Sequence, residues 1–269
     1  MDGIITMMLE SIYGGGLVQA TYDALMIFSS SYSSSIADTM GTISDFLKPI
    51  AGVIVCMYFL MNLIDKATTD NFSSDQFIKM LLKLAFSIII IENITDWSVR
   101  IMDFGIAFTN GIASSISGIS DLSTLDMQNI VENMGFWSKL GGMAILLIPW
   151  AISLLVRLGI YFLVYGRAIE IGVRAIFSPI GCSDLMNGGV NSNGFKYIKK
   201  MLAVSIQGGV MLIVVICSSL LTRDVFANDL GNGVSIFDLA FIAKYLGVSL
   251  SMVGIMAASK QIANDIIGA

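Results

Sequence analysis

The sequence predicts an all-α, polytopic membrane protein with about five transmembrane helices. Three observations carry this reading. Apolar side chains make up 55% of the 269 residues and charged ones only 13%, about half the charged share of a soluble domain. Mean hydropathy is +0.81. Apolar runs recur along the chain, and the cleanest, 201–221, has 21 residues without a charge, enough to cross a bilayer as a helix.

Residues 1–45 are amphipathic and rich in Ser and Gly. Ile4, Ile5, Met8, Leu9 and Ile12 recur at helical spacing before Gly14, Gly15 and Gly16 interrupt them. A second apolar patch, 25–28, precedes a polar run at 29–35. No window is long and apolar enough to span, so this region is expected as interface-lying or packed amphipathic helices on the extracytoplasmic side. Met1, Asp2 and Gly3 lack the positive n-region of a secretory signal, so the N-terminus is expected to stay in the mature protein.

Residues 46–91 hold the first two expected spans. The first covers about 46–64, with Lys48 and Pro49 marking its start, since proline is accepted in a first helical turn. A polar link, 65–76, leads to the second, about 77–91. There Lys79 and Lys83 lie four apart on one face and can snorkel to anionic headgroups. Residues 92–139 form a long extracytoplasmic segment. Glu92, Asp96 and Arg100 keep a spacing of four, so a helix continues out of the bilayer before Ser, Gly and Asp take over. Such a segment suits either a vestibule lining or a partner's dock.

Residues 140–181 form the third span with a cytoplasmic helical extension. An uncharged run over 141–156 contains Pro149 and Trp150; Arg157 follows, then a second apolar run to Gly166, then Arg167, Glu170 and Arg174, and finally Pro179 and Gly181. As one helix this stretch reaches about 60 Å, roughly twice the hydrocarbon core. Arg157 either snorkels or serves as a pore-lining or subunit-pairing cation. Arg167, Glu170 and Arg174 share one face at i, i+3 and i+7, so Glu170 can pair with both arginines. That face suits solvent or a neighbouring subunit on the water side.

A basic cytoplasmic loop, 182–200, ends in Lys196, Lys199 and Lys200. These anchor the cytoplasmic side or touch anionic lipid or DNA phosphates. Two spans and a short tail fill 201–269, the spans at 201–221 and about 237–258. Small residues at intervals of four mark packing stripes: Ser205 and Gly209 on the first, Ala243, Gly247 and Ser251 on the second. Asp238 and Lys244 sit in the first half of the last span.

With five spans and the N-terminus outside, nine basic residues face the cytoplasm and four face out, while Arg157 and Lys244 lie within spans. The positive-inside rule therefore selects an N-out, C-in topology. Catalytic chemistry finds no foothold. The chain has no histidine, so Ser-His and Cys-His nucleophiles are excluded, and no Gly-rich GK[ST] phosphate loop is present. Cys56, Cys182 and Cys217 are too far apart for metal spacing, and Cys56 and Cys217, inside apolar runs, are expected as small buried hydrophobes. No cofactor or metal is expected, though phospholipid is a candidate ligand. The chain is not expected to be an enzyme.

This layout resembles the TrbL-type, VirB-six-like polytopic inner-membrane subunits of type IV secretion and conjugation machines. The carrying features are the N-out, five-span, C-in order, the long external segment between spans two and three, Trp150 in span three, and the stretch YFLVYGRAIEIGVRAIFSPIGCSDL. The resemblance covers about 45–260. It implies a homo-oligomeric channel or scaffold subunit in the bacterial cytoplasmic membrane, alongside other secretion-channel subunits and cytoplasmic ATPases. Its substrate would be DNA or protein, passed without sequence recognition. Trp150 and the external segment are then the functional candidates. Two other classes compete. A proton-coupled small-solute permease would need Asp238 or Glu170 as its carboxylate, and a holin-like or toxin-immunity protein would lyse its host.

Overall fold

The protein is described by a computed structural model covering residues 2–13, 16–68, 73–115, 136–185, 191–231 and 238–269. Most of the expected external segment's tip, 116–135, and the Gly-rich centre of the basic loop, 186–190, lie outside the described residues. The described residues fold into helices without a strand: α1 (Asp2–Tyr13), α2 (Gly16–Ala67), α3 (Ser74–Ser115), α4 (Phe136–Ile176), α5 (Ser178–Gly181), α6 (Asn193–Gly231) and α7 (Leu239–Ile267). Among them, four are long and apolar enough to cross a membrane, over Asp38–Ala67, Leu140–Ile176, Asn193–Leu221 and Leu239–Ile267. The all-α polytopic class is thus as the composition predicts. The expected span at 77–91 lies on α3, which is long but mixed. Lys79, Lys83 and Glu92 leave only the short uncharged run 84–91 between them.

Helix ends have local causes. Ser73 Oγ accepts from Gln76 N (3.4 Å) at the start of α3, and Ser192 Oγ accepts from Phe195 N (3.1 Å) at the start of α6. Asp238 Oδ1 accepts from Ala240 N (3.0 Å) at the start of α7. The last two serve amides that a first turn leaves without a helical partner, while Gln76 N also donates to the Ser73 carbonyl (3.0 Å). The α4 terminus is set by Pro179, whose missing N–H would have served the Ala175 carbonyl. Ser178 Oγ donates to that carbonyl instead (2.7 Å), and the chain turns at Phe177 into α5.

Several helices run further than the sequence pattern implies. Pro49 was expected in a first turn, but α2 starts at Gly16 and carries Pro49 in its interior. One missing bond does not end a helix whose other turns are intact and whose neighbours pack against it. Lys48 also closes an ion pair with Asp45 one turn earlier (2.8 Å). Glu92 to Ser115, on the expected external segment, is helix throughout. The α6 helix begins at Asn193, so Lys196, Lys199 and Lys200 stand on its first turns and not in a loop.

The described helices contribute to two units: Met1–Met26, Phe108–Gly166 and Gly208–Ser259 make the first, and Ile27–Ala107, Arg167–Gln207 and Lys260–Ala269 the second. In the first, Leu146, Val156 and Ile160 of α4 are buried, as are Met211, Leu212 and Val215 of α6 and Phe241, Met252 and Met256 of α7. Gly209 lets α6 approach Phe108 and Ile112 of α3. In the second, Met40, Met102, Ile171, Ala175, Met201 and Val204 form one core cluster and Ala51, Val55 and Ile91 another. Ser44 and Thr95 share a hydrogen bond between α2 and α3. Gly105 lies against the Ser205 backbone, and Ser205 Oγ donates to the Ile101 carbonyl. Small residues and interhelical hydroxyls are what holds helices together where lipid removes the hydrophobic drive between them.

Of the apolar window of α6, 78% is buried inside the chain, against 17% for α2, 28% for α4 and 33% for α7. The outward faces of α2, α4 and α7 are therefore apolar and exposed, for example Phe46, Val53, Leu155, Phe162 and Leu250. Such surface suits hydrocarbon and is far beyond what a soluble monomer exposes. It also corrects the expectation for two cysteines. Cys56 and Cys217 are exposed, and Cys182, at the turn after α5, is the buried one. An apolar run in a membrane helix has a lipid face as well as a core face, so it does not imply burial in protein.

Candidate functional site

The polar side chains of the second unit converge where the end of α4, the start of α6 and the end of α7 meet. Arg167 is half-buried on α4. Its Nε donates to the Val204 carbonyl (3.1 Å) and its Nη2 to the Ser205 carbonyl (2.8 Å) of α6. A guanidinium presents its donors as a rigid fork, so it can serve two successive carbonyls of a neighbouring helix. Those carbonyls sit beside the close approach of Gly105 and the Ser205 hydroxyl contact to Ile101. One short stretch of α6 is thus held from α3 and from α4 at once.

One turn on, Glu170 Oε1 accepts from Arg174 Nη2 (2.8 Å) and Nε (3.0 Å). The same oxygen accepts from Lys260 Nζ of α7 at 2.7 Å. Glu170 therefore faces Arg174 and Lys260, while Arg167 is committed to backbone. Tyr197 of α6 donates its hydroxyl to the Arg174 carbonyl. Its ring lies over Gly181, where a side chain would collide with it. Lys199 donates to the Gly268 carbonyl (3.1 Å) at the end of α7 and stands 5.5 Å from the Phe195 ring centroid. Gly268 has a positive φ of 69°, the left-handed conformation common after a helix end.

Tyr197, Lys260 and Ser178 belong to this arrangement and were not candidates from sequence. Lys260 is 90 positions from Glu170, so no local spacing could join them. The serine before Pro179 was a readable signal, since a hydroxyl there can replace the donor that proline lacks.

The other candidates lie elsewhere. Trp150 is half-buried on α4 next to buried Pro149, and its carbonyl accepts from Ser153 Oγ (2.8 Å). Arg157 is half-buried further along the same helix. Both belong to the first unit, whereas Arg167, Glu170 and Arg174 belong to the second. Ser205 and Gly209 are buried at helix contacts, whereas Ala243, Gly247 and Ser251 are exposed on α7, with open space in front of Gly247. Lys79, Lys83, Lys196 and Lys200 are exposed.

Chemically this is a brace. The Glu170 carboxylate is held by two cations, and no nucleophile stands with it in these contacts. Burial pushes the Cys182 thiol up to about 12, so it stays protonated and unreactive. No group of three or more His, Cys, Asp or Glu is placed to hold a metal among the described residues.

The family model for TrbL/VirB6 plasmid conjugal transfer like proteins matches residues 22–179. That range runs from α2 through the Arg167–Glu170–Arg174 face to Pro179. No curated protein and no solved structure matches the chain.

Proposed function

We propose that this chain, which belongs to the TrbL/VirB6 plasmid conjugal transfer like family, is a homo-oligomeric channel or scaffold subunit that helps pass substrate across the cytoplasmic membrane in a type IV secretion machine. The observation that carries the proposal is the family match over 22–179, more than half of the chain. Two structural observations support it. The spanning helices α2, α4 and α7 keep wide apolar faces exposed, which leaves surface for lipid and for other subunits. The polar residues are used to lock helices together, which suits a scaffold whose energy comes from partner ATPases. In this reading the topology is N-out and C-in with α3 as a fifth span. The exposed lysines 196 and 200 then face the cytoplasm, and the role is structural and not enzymatic.

The solute-carrier alternative loses support at both of its carboxylates. Asp238 caps α7 from an exposed position at its start, and Glu170 is engaged by Arg174 and Lys260. Purification in mild detergent followed by mass and single-particle symmetry analysis tests the proposal. A closed ring of several copies, recovered with other secretion subunits, is the expected result. A strict monomer that takes up a small solute in liposomes would overturn it.

A further inference from the structure

Within the first unit, α6 and α7 leave a groove of about 370 Å³. It is lined by Ser218 and Leu221 of α6 and by Lys244, Gly247, Ser251 and Met252 of α7, with Lys244 the first of these along α7. A Cβ at Gly247 would meet nothing within 4 Å, so the groove is open beside Gly247. Its lining is largely apolar and open to one side, which suits an acyl chain. Lys244 is exposed and lies five residues inside α7, about 7.5 Å from the helix start. At that depth a lysine on a spanning helix extends its ammonium to the headgroup layer. An ammonium has three donors, so it can serve a phosphate whatever else it touches.

We infer that this groove is a binding site for one anionic phospholipid, with an acyl chain along Gly247 and Ser251 and the phosphate at Lys244. A cation in an otherwise largely apolar groove matches the charge arrangement of an anionic lipid and not of a zwitterionic one. The inference depends on the chain's being a membrane protein and not on its role in transfer.

Native mass spectrometry of the detergent-purified full chain, titrated with dioleoylphosphatidylglycerol or dioleoylphosphatidylcholine, tests it. The wild type should retain one phosphatidylglycerol and bind phosphatidylcholine more weakly. Lys244→Gln should weaken phosphatidylglycerol retention about five-fold, the worth of one near-surface basic residue, and Lys244→Arg should keep it. Independently of any variant, phosphatidylglycerol carrying a diazirine on its acyl chain should label peptides covering 247–255. Gly247→Leu, which places a large side chain in the groove, should abolish that label. Equal retention by wild type and Lys244→Gln would overturn the inference. So would labelling confined to other helices, or efficient disulfide formation between copies through Gly247→Cys, which would give the groove to a second copy of the chain.

Discussion

Arg167 and Glu170 sit three residues apart and do different work. Arg167 makes two charge-assisted bonds to consecutive carbonyls of α6, each worth about 1.5–3 kcal/mol. Arg167→Ala should therefore cost about 3 kcal/mol or more and lower the detergent melting temperature by at least roughly 6–12 °C. Arg167→Lys should recover only part of it, because an ammonium is a point charge without the fork. A melt in which alanine, lysine and wild type coincide would contradict this role. Glu170 is partly exposed, with Arg174 and Lys260 on one oxygen, and solvent weakens such pairs. Glu170→Gln should cost only about 1 kcal/mol, or about 2–4 °C, and the gap from wild type should narrow in high salt. A salt-independent gap would mean that packing, and not charge, is what the substitution removes. The shared face of Arg167, Glu170 and Arg174 was legible from i, i+3 and i+7 spacing, but their partners were not. Val204, Ser205 and Lys260 lie 37, 38 and 90 positions away, and only the fold brings them near.

At the scale of helices, the long apolar runs announced α4 and α6 because hydrophobic length is a direct reading of the bilayer. Helix limits were less legible. Pro49 marks no boundary, since α2 continues through it. The cap at Ser192 starts α6 ahead of the basic cluster, where charge density resembled a loop. The small-residue stripes also looked alike in sequence and differ in the fold. Ser205 and Gly209 are buried at close contacts, while Ala243, Gly247 and Ser251 face outward. Glycine substitutions should separate the two kinds of stripe. Gly105→Ala places a methyl group against the Ser205 backbone, which cannot move aside as a side-chain tip can, and should cost about 1–3 kcal/mol. Gly247→Ala enters open space and should be neutral or slightly stabilising, since alanine is the better helix former. Paired melts of the two variants check this, and a loss at Gly247→Ala matching that at Gly105→Ala would contradict the contact.

For the whole molecule, topology turns on α3. Four helices meet the length and apolarity of a span, and α3 carries Lys79, Lys83 and Glu92 around its apolar run. Lysines near the start of a span can snorkel, and with α3 counted as a span the balance of nine basic residues against four selects the N-out order. Truncated fusions to alkaline phosphatase after Ala67 and after Ser115 should be inactive and active respectively. The same state at both points would remove α3 as a span and with it the N-out, C-in order.

Membership of a conjugal transfer family makes transfer itself the decisive readout. Deleting the gene from its element and measuring donor-to-recipient transfer, with and without the full chain supplied in trans, tests the proposal most directly. Transfer should fall to background on deletion, return with the wild type, and return only partly with Arg167→Ala at equal membrane abundance. Undiminished transfer after deletion would contradict the assignment of this chain to the transfer channel.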